Sequence, residues 1–181
     1  MRPVEQKKKN LISAILSVYD KGLTITQVDK VTLYKKSTHG RVVSEKHTEL
    51  IGTCYNKNPF ILGTADICMR RGIAYKTFVE CLTHEIGHFL VRHYDIHFPN
   101  AQTEEAWAQY FSYITFTGDT AKSLRDTKKY QAQPRLIRHY HFKRYKTQWK
   151  FVEEFGTIIG KSNRYRRFCN KMRKAYSAIS G

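Results

Sequence analysis

The sequence contains no CxxC pair. Its four cysteines, Cys54, Cys68, Cys81 and Cys169, stand far apart, which argues against a thiolate zinc site. An even count permits disulfides, but a chain of 181 residues can build a core without them. The reading is of free thiols in an intracellular, cytoplasmic protein. No apolar run approaches the length of a membrane span, so no membrane is expected among its partners. Proline and glycine are scarce, at 4 and 10 residues, and 41% of the chain is hydrophobic, which fits a globular protein rather than a disordered one. Acidic residues nearly disappear from the last third: residues 121–181 hold 3 Asp/Glu against 17 Lys/Arg. No internal repeat is present. A phosphate-binding loop is also missing: "GTIIGKS" (Gly156–Ser162) has too few residues between its glycines, and no β-rich segment precedes it.

The first patterned segment is "KKKNLISAILSVY" (Lys7–Tyr19). A basic start and an apolar stretch imitate a signal peptide, but no small-x-small cleavage site follows. Leu11, Ile12, Ile15, Leu16 and Tyr19 recur at helical spacing with Ser13 and Ser17 on the other face, so an amphipathic helix over about 6–19 is expected. "VDKVTLY" (Val28–Tyr34) reads as a strand, and Ser37–Thr64 as two or three more, with turns at His39-Gly40 and Asn56–Pro59. Gly52 and Gly63 in these runs suggest bulges or a close approach by another stretch of chain. Helices are expected over about 74–94 and 104–116, then in the basic tail on both sides of Pro134, and finally in "SNRYRRFCNKMRKAYSAI" (Ser162–Ile179). Tyr165, Phe168, Cys169, Met172, Tyr176 and Ile179 form the apolar stripe of that last helix. Helix, strands, then helices is an α+β order. It divides into residues 1–120, net +3, and a basic helical extension over 121–181, net +14.

"ECLTHEIGHFLVRHY" (Glu80–Tyr94) carries His84, Glu85 and His88 as H-E-x-x-H. On a helix, His88 lies about 40° from His84, so both imidazoles point the same way from consecutive turns. Tyr75, Phe78, Val79, Leu82, Ile86 and Phe89 fall on the opposite arc, where they can anchor the helix in a core. Two histidines one turn apart suit one tetrahedral metal, and zinc is the expected ion. Glu85 lies beside the pair, in reach of a water activated by that ion, and is the candidate general base. Gly87 leaves room beside the metal. Eight histidines in this chain would produce such a motif by chance roughly a few times in a hundred.

A third ligand is needed. The arrangement with a third histidine six residues on fails, because Val91 and Tyr94 stand where Gly and His belong. His93 points away from the pair while the helix persists, and His97 returns only through a turn after Asp95. The following helix, "TEEAWAQYFSYITF" (Thr103–Phe116), offers Glu104 and Glu105. Trp107, Tyr110, Phe111 and Ile114 make its apolar stripe. Glu105 projects away from that stripe, on the side of Ala108 and Ser112, where small residues allow close helix approach. Glu105 is therefore preferred over Glu104 as the ligand.

"HEIGH" followed by "EEAWAQ" resembles the gluzincin metallopeptidases, in which two His and a downstream Glu bind zinc. The minimal gluzincins and the ImmA/IrrE-type peptidases are nearest in size and order. The resemblance covers about Val31–Phe116. It implies a zincin-like α+β fold, in which a small mixed sheet packs on an active-site helix and a glutamate helix. It also implies a zinc-dependent hydrolase of peptide bonds acting on a protein or peptide substrate. "NPFILGT" (Asn58–Thr64) would then be the edge strand that pairs with substrate. Many gluzincins carry an Asp four residues after the ligand Glu, orienting a histidine; that position is Gln109 here. The resemblance further implies an oxyanion donor downstream, for which His139, Tyr140 and His141 are the candidates.

The tail segment "RHYHFKRYKTQWK" interleaves Arg138, Lys143, Arg144, Lys146 and Lys150 with Tyr140, Phe142, Tyr145 and Trp149. Such interleaving suits nucleic acid, through phosphate contacts and base stacking. It also suits a helix packed on the catalytic domain, because Tyr145, Trp149 and Val152 sit at core spacing. The charge draws polyanions generally, so an acidic protein is a further candidate partner. The alternative to the enzyme is a nucleic-acid-binding or structural protein on a zincin scaffold.

Overall fold

The computed structural model describes residues 3–19, 22–37, 51–55, 64–98, 101–117, 159 and 161–180. Helix α1 (Pro3–Leu16) leads to strand β1 (Leu23–Val28), helix α2 (Lys30–Ser37) and strands β2 (Gly52–Tyr55) and β3 (Ala65–Arg70). Among the described residues the helices α3 (Tyr75–His93), α4 (Ala101–Thr117) and α5 (Asn163–Ser180) follow. The fold is α+β, and the described strands form one mixed sheet in the order β1-β3-β2. β1 runs parallel to β3 with Leu23 opposite Ala65, and β2 runs antiparallel to it with Gly52 opposite Met69. Among the described residues no helix is long and apolar enough to cross a membrane.

The expected strand over Val28–Tyr34 is corrected. The strand ends at Val28, and α2 begins two residues later. Asp29 causes the switch. Its carboxylate accepts hydrogen bonds from the Thr32 backbone N–H at 2.9 Å and the Thr32 hydroxyl at 2.5 Å, while its carbonyl accepts from Leu33 N–H at 3.0 Å. That is N-terminal helix capping, and it outweighs the β preference of Val31, Thr32 and Tyr34. The strand lies upstream instead, in "LTITQV", where Leu23 and Ile25 are buried and Thr24 and Thr26 exposed. β3 lies beyond the expected strands. Its first five residues are all buried, so it lacks the alternation that marks a half-exposed strand. Of the segment proposed to pair with substrate, residues 58–63 lie outside the described residues.

α3 is the centre of the core. Phe78, Val79, Leu82, Ile86, Phe89 and Leu90 are fully buried on it, and they join Leu11 and Ile15 of α1, Ile67 and Met69 of β3, and Trp107 and Phe111 of α4. Two glycines set how closely elements meet. A Cβ on Gly87 would stand 2.9 Å from the Cα of Ala108, and Trp107 donates its indole N–H to the Gly87 carbonyl at 2.9 Å. Gly87 therefore serves the α3–α4 crossing, rather than leaving room beside a metal. A Cβ on Gly52 would meet Cys81 Sγ at 2.9 Å and Glu85 Cγ at 3.2 Å, so β2 lies directly against the Glu85 turn of α3. α5, the described end of the basic extension, is part of the same core through Phe168, Cys169 and Met172. All four cysteines are free thiols.

Candidate metal centre

His84 and His88 leave α3 from consecutive turns, and their Nε2 atoms lie 3.2 Å apart. α4 crosses at Gly87 and brings Glu105 over the pair. One carboxylate oxygen is 3.4 Å from His84 Nε2 and the other is 3.3 Å from His88 Nε2. These three side chains form a cluster able to hold a metal ion. The spacing fits the chemistry: ligands at about 2.0–2.1 Å from a tetrahedral ion stand about 3.3 Å from one another.

Glu104 is not part of that trio. It bonds to the far side of His88, with its Oε1 2.7 Å from Nδ1. A carboxylate there accepts from Nδ1–H and keeps that nitrogen protonated, so Nε2, which faces the centre, is the ring atom that would give up its proton to a metal. Arg92 sits one further turn along α3. Its Nη1 donates to the His88 carbonyl at 2.9 Å and lies 3.5 Å from the same Glu104 oxygen. Reasoning from sequence missed both roles. The signal for Arg92 was its place four residues after His88, and the signal for Glu104 was its place beside the ligand. His84 differs from His88, because its Nδ1 is buried with no partner among the described residues.

Glu85 is 7% exposed and shares a cavity of about 400 Å³ with His84, His88, Arg92, Glu104 and Glu105; Gly52, Thr53 and Cys54 of β2 form the opposite wall. Burial raises the Glu85 pKa above the usual carboxylate range, with Glu105 adding to the rise and the two histidines opposing it. Such a shift favours a group that both takes and releases a proton. Burial would lower the His88 pKa, but hydrogen bonds to Glu104 and Glu105 more than offset this and push it up to about 10. Burial likewise works against the Glu105 anion, and its bonds to His84 and His88 hold its pKa well below the usual range. Three carboxylates thus converge on two imidazoles, and the site attracts positive charge. Burial also raises the thiol pKa values of Cys54 and Cys81, the first despite Arg92 at 3.6 Å, which leaves both poor nucleophiles.

The other histidines considered as ligands lie elsewhere. His93 packs against Phe89 and Tyr19, with ring centroids at 5.2 and 6.2 Å, and His97 is 85% exposed. The candidate oxyanion donors His139, Tyr140 and His141 and the candidate phosphate contacts Arg138, Lys143, Arg144, Lys146 and Lys150 lie outside the described residues. No known protein family, curated protein or solved structure matches this chain. The site must therefore be read from its own geometry.

Proposed function

We propose that the chain is a zinc metallopeptidase of the gluzincin type, with a zincin-like arrangement of sheet, active-site helix and glutamate helix. The observation that carries this is the convergence of two Nε2 atoms and the Glu105 carboxylate at tetrahedral spacing beside the buried Glu85. Imidazole and carboxylate donors suit zinc, and three protein ligands leave a position open, as in catalytic rather than structural sites. When bound, the ion supplies Lewis acidity and lowers the pKa of water.

The residues then divide the work. His84, His88 and Glu105 hold the ion, and Glu104 fixes the ring of His88. Glu85 takes a proton from the attacking water as the C–O bond forms at the peptide carbonyl. It delivers that proton to the amide nitrogen as the C–N bond breaks, so the substrate is a protein or peptide. Its raised pKa suits both transfers.

The test has two readouts. Metal content by mass spectrometry, on protein purified without added metal, should be near one zinc per chain in wild type and near zero in His84→Ala. Glu85→Gln should keep the zinc and lose about 10²–10⁴-fold in turnover on a broad peptide library. No zinc in wild type would overturn the metal reading. Equal biological activity of wild type and Glu85→Gln would favour the alternative, a binding or structural protein on the same scaffold.

A further inference from the structure

α5 carries Arg164, Arg166, Arg167, Lys171, Arg173 and Lys174 and no acidic residue. Arg173 is engaged: its Nε donates to the Thr115 carbonyl at 2.6 Å and ties α5 to α4. Of the other five, Lys171 is half-buried and the rest are exposed. None of the five has a carboxylate within ion-pair distance among the described residues. Arg164 and Arg167, Arg167 and Lys171, and Lys171 and Lys174 stand three or four residues apart, so each pair repels along the helix surface. Packing overcomes this repulsion. Phe168 and Met172 are fully buried, and Phe168 meets Tyr19 and Phe111 at ring-centroid distances of 5.8 and 5.7 Å.

The outward face shows what kind of partner it suits. The exposed large hydrophobic residues among those described are Val4 and Val31, and neither is on α5. A helix lying in a lipid interface needs apolar residues on the side that meets the lipid, and α5 turns Phe168, Cys169 and Met172 to the core. A specific protein interface is built around an apolar centre, and among the described side chains of this face there is none. A phosphodiester backbone asks only for closely spaced cations, preferably arginine. The column Arg164–Arg167–Lys171–Lys174 covers about 15 Å of helix, comparable to about four base-pair steps of a duplex.

We propose that the outward face of α5, through Arg164, Arg166, Arg167, Lys171 and Lys174, docks the phosphodiester backbone of DNA or RNA. This surface belongs to a different element from the metal cluster, and the proposal does not depend on the metal reading. α5 meets α4 where Tyr165 and Phe168 pack on Phe111, on a part of α4 that does not carry Glu104 or Glu105.

The experiment is fluorescence anisotropy of the full chain with three labelled probes of equal length: a DNA duplex, single-stranded DNA and single-stranded RNA. Binding to one or more is expected, with affinity falling steeply as KCl rises; the tightest probe identifies the source of the backbone. The triple variant Arg166→Ala, Arg167→Ala, Lys174→Ala should lower the log–log salt slope by about two to three units, at roughly 0.7–0.9 per phosphate contact. Its metal content should match wild type, and its thermal midpoint should be no lower, because the substitutions relieve like-charge pairs on the helix. The charge-keeping variant Arg166→Lys, Arg167→Lys should retain the slope, and losing it would overturn the proposal. So would failure of wild type to bind any probe, or an unchanged slope in the triple variant. Tighter binding to phosphatidylserine vesicles or polyglutamate than to all three probes would overturn it in favour of those partners.

Discussion

On one face of α3, Phe78, Leu82, Ile86 and Phe89 are wholly buried against α1, α4 and α5. On the other, His84, Glu85, His88 and Arg92 line a cavity closed by β2 and the start of α4. The first face is held by contact area, which is non-directional and tolerant of exchange among similar shapes. The second is held by a few polar contacts of stated length: Glu104 on His88, Arg92 on the His88 carbonyl and on Glu104, and Glu105 across both ring nitrogens. Damage to the first should appear as lost stability with the site intact. Damage to the second should appear as lost metal affinity with the fold intact.

Phe168→Ala is the strongest test of that separation, with the largest expected effect. Phe168 is fully buried where α5 meets Tyr19 and Phe111, so truncation should cost about 3–5 kcal/mol in denaturant unfolding. Below the unfolding transition, metal stoichiometry should match wild type. Loss of metal from folded Phe168→Ala protein would break the comparison, because the core face would then be setting the ligand geometry. Glu104→Gln probes the other face. The amide can still accept from His88 Nδ1–H but carries no charge, so metal affinity should fall about 10–100-fold, roughly 1.4–2.7 kcal/mol. Titration against a chromophoric chelator measures this. Glu105→Gln, which removes a ligand, should lose more, and the reverse order would exchange the roles of the two glutamates.

What the sequence revealed follows the same division. The apolar arc of α3, from Tyr75 to Phe89, repeats over about four turns, long enough for periodicity to specify both the helix and the direction of its histidines. The stripe of α4 likewise set Glu105 apart, with Ala108 on the same side, and Gly87 and Ala108 do meet at the crossing. The errors came where one contact outweighs a local preference. Val31, Thr32 and Tyr34 favour a strand, yet the Asp29 cap starts a helix. β3 hid because a strand buried on both faces has no alternation to read. Glu104 could not be assigned from spacing, because its role depends on the crossing of two helices rather than on its position along one. Lys8, to which the helical pattern assigns no role, is fully buried, bonded to Glu5 at 2.7 Å and set over the Phe78 ring.

The smallest expected effect lies at the end of α3, where the two faces finish together. The Ile96 N–H donates to the Val91 carbonyl at 2.9 Å and the Asp95 N–H to the Arg92 carbonyl at 3.2 Å, with Asp95 at φ 51°. This is the Schellman arrangement, and its left-handed position is one that glycine occupies without strain. Aspartate tolerates it better than most residues, but its charge lies at the negative end of the helix dipole. Asp95 is 60% exposed, and its contact with the exposed His97, at 4.0 Å, adds little. Asp95→Gly removes both the strain and the charge but gives the unfolded chain more freedom, so the net gain should stay below about 1 kcal/mol. That corresponds to a rise in the thermal midpoint of at most about 2–4 °C. Asp95→Asn removes the charge and keeps a residue suited to the left-handed region, so it isolates the dipole contribution of about 0.3–1 kcal/mol. If both variants melt at the wild-type temperature, neither strain nor charge limits the cap. If Asp95→Gly alone gains stability, the backbone conformation is the cause. In every case metal affinity should stay at the wild-type value, because the cap lies beyond Arg92 and touches neither His84, His88 nor Glu105.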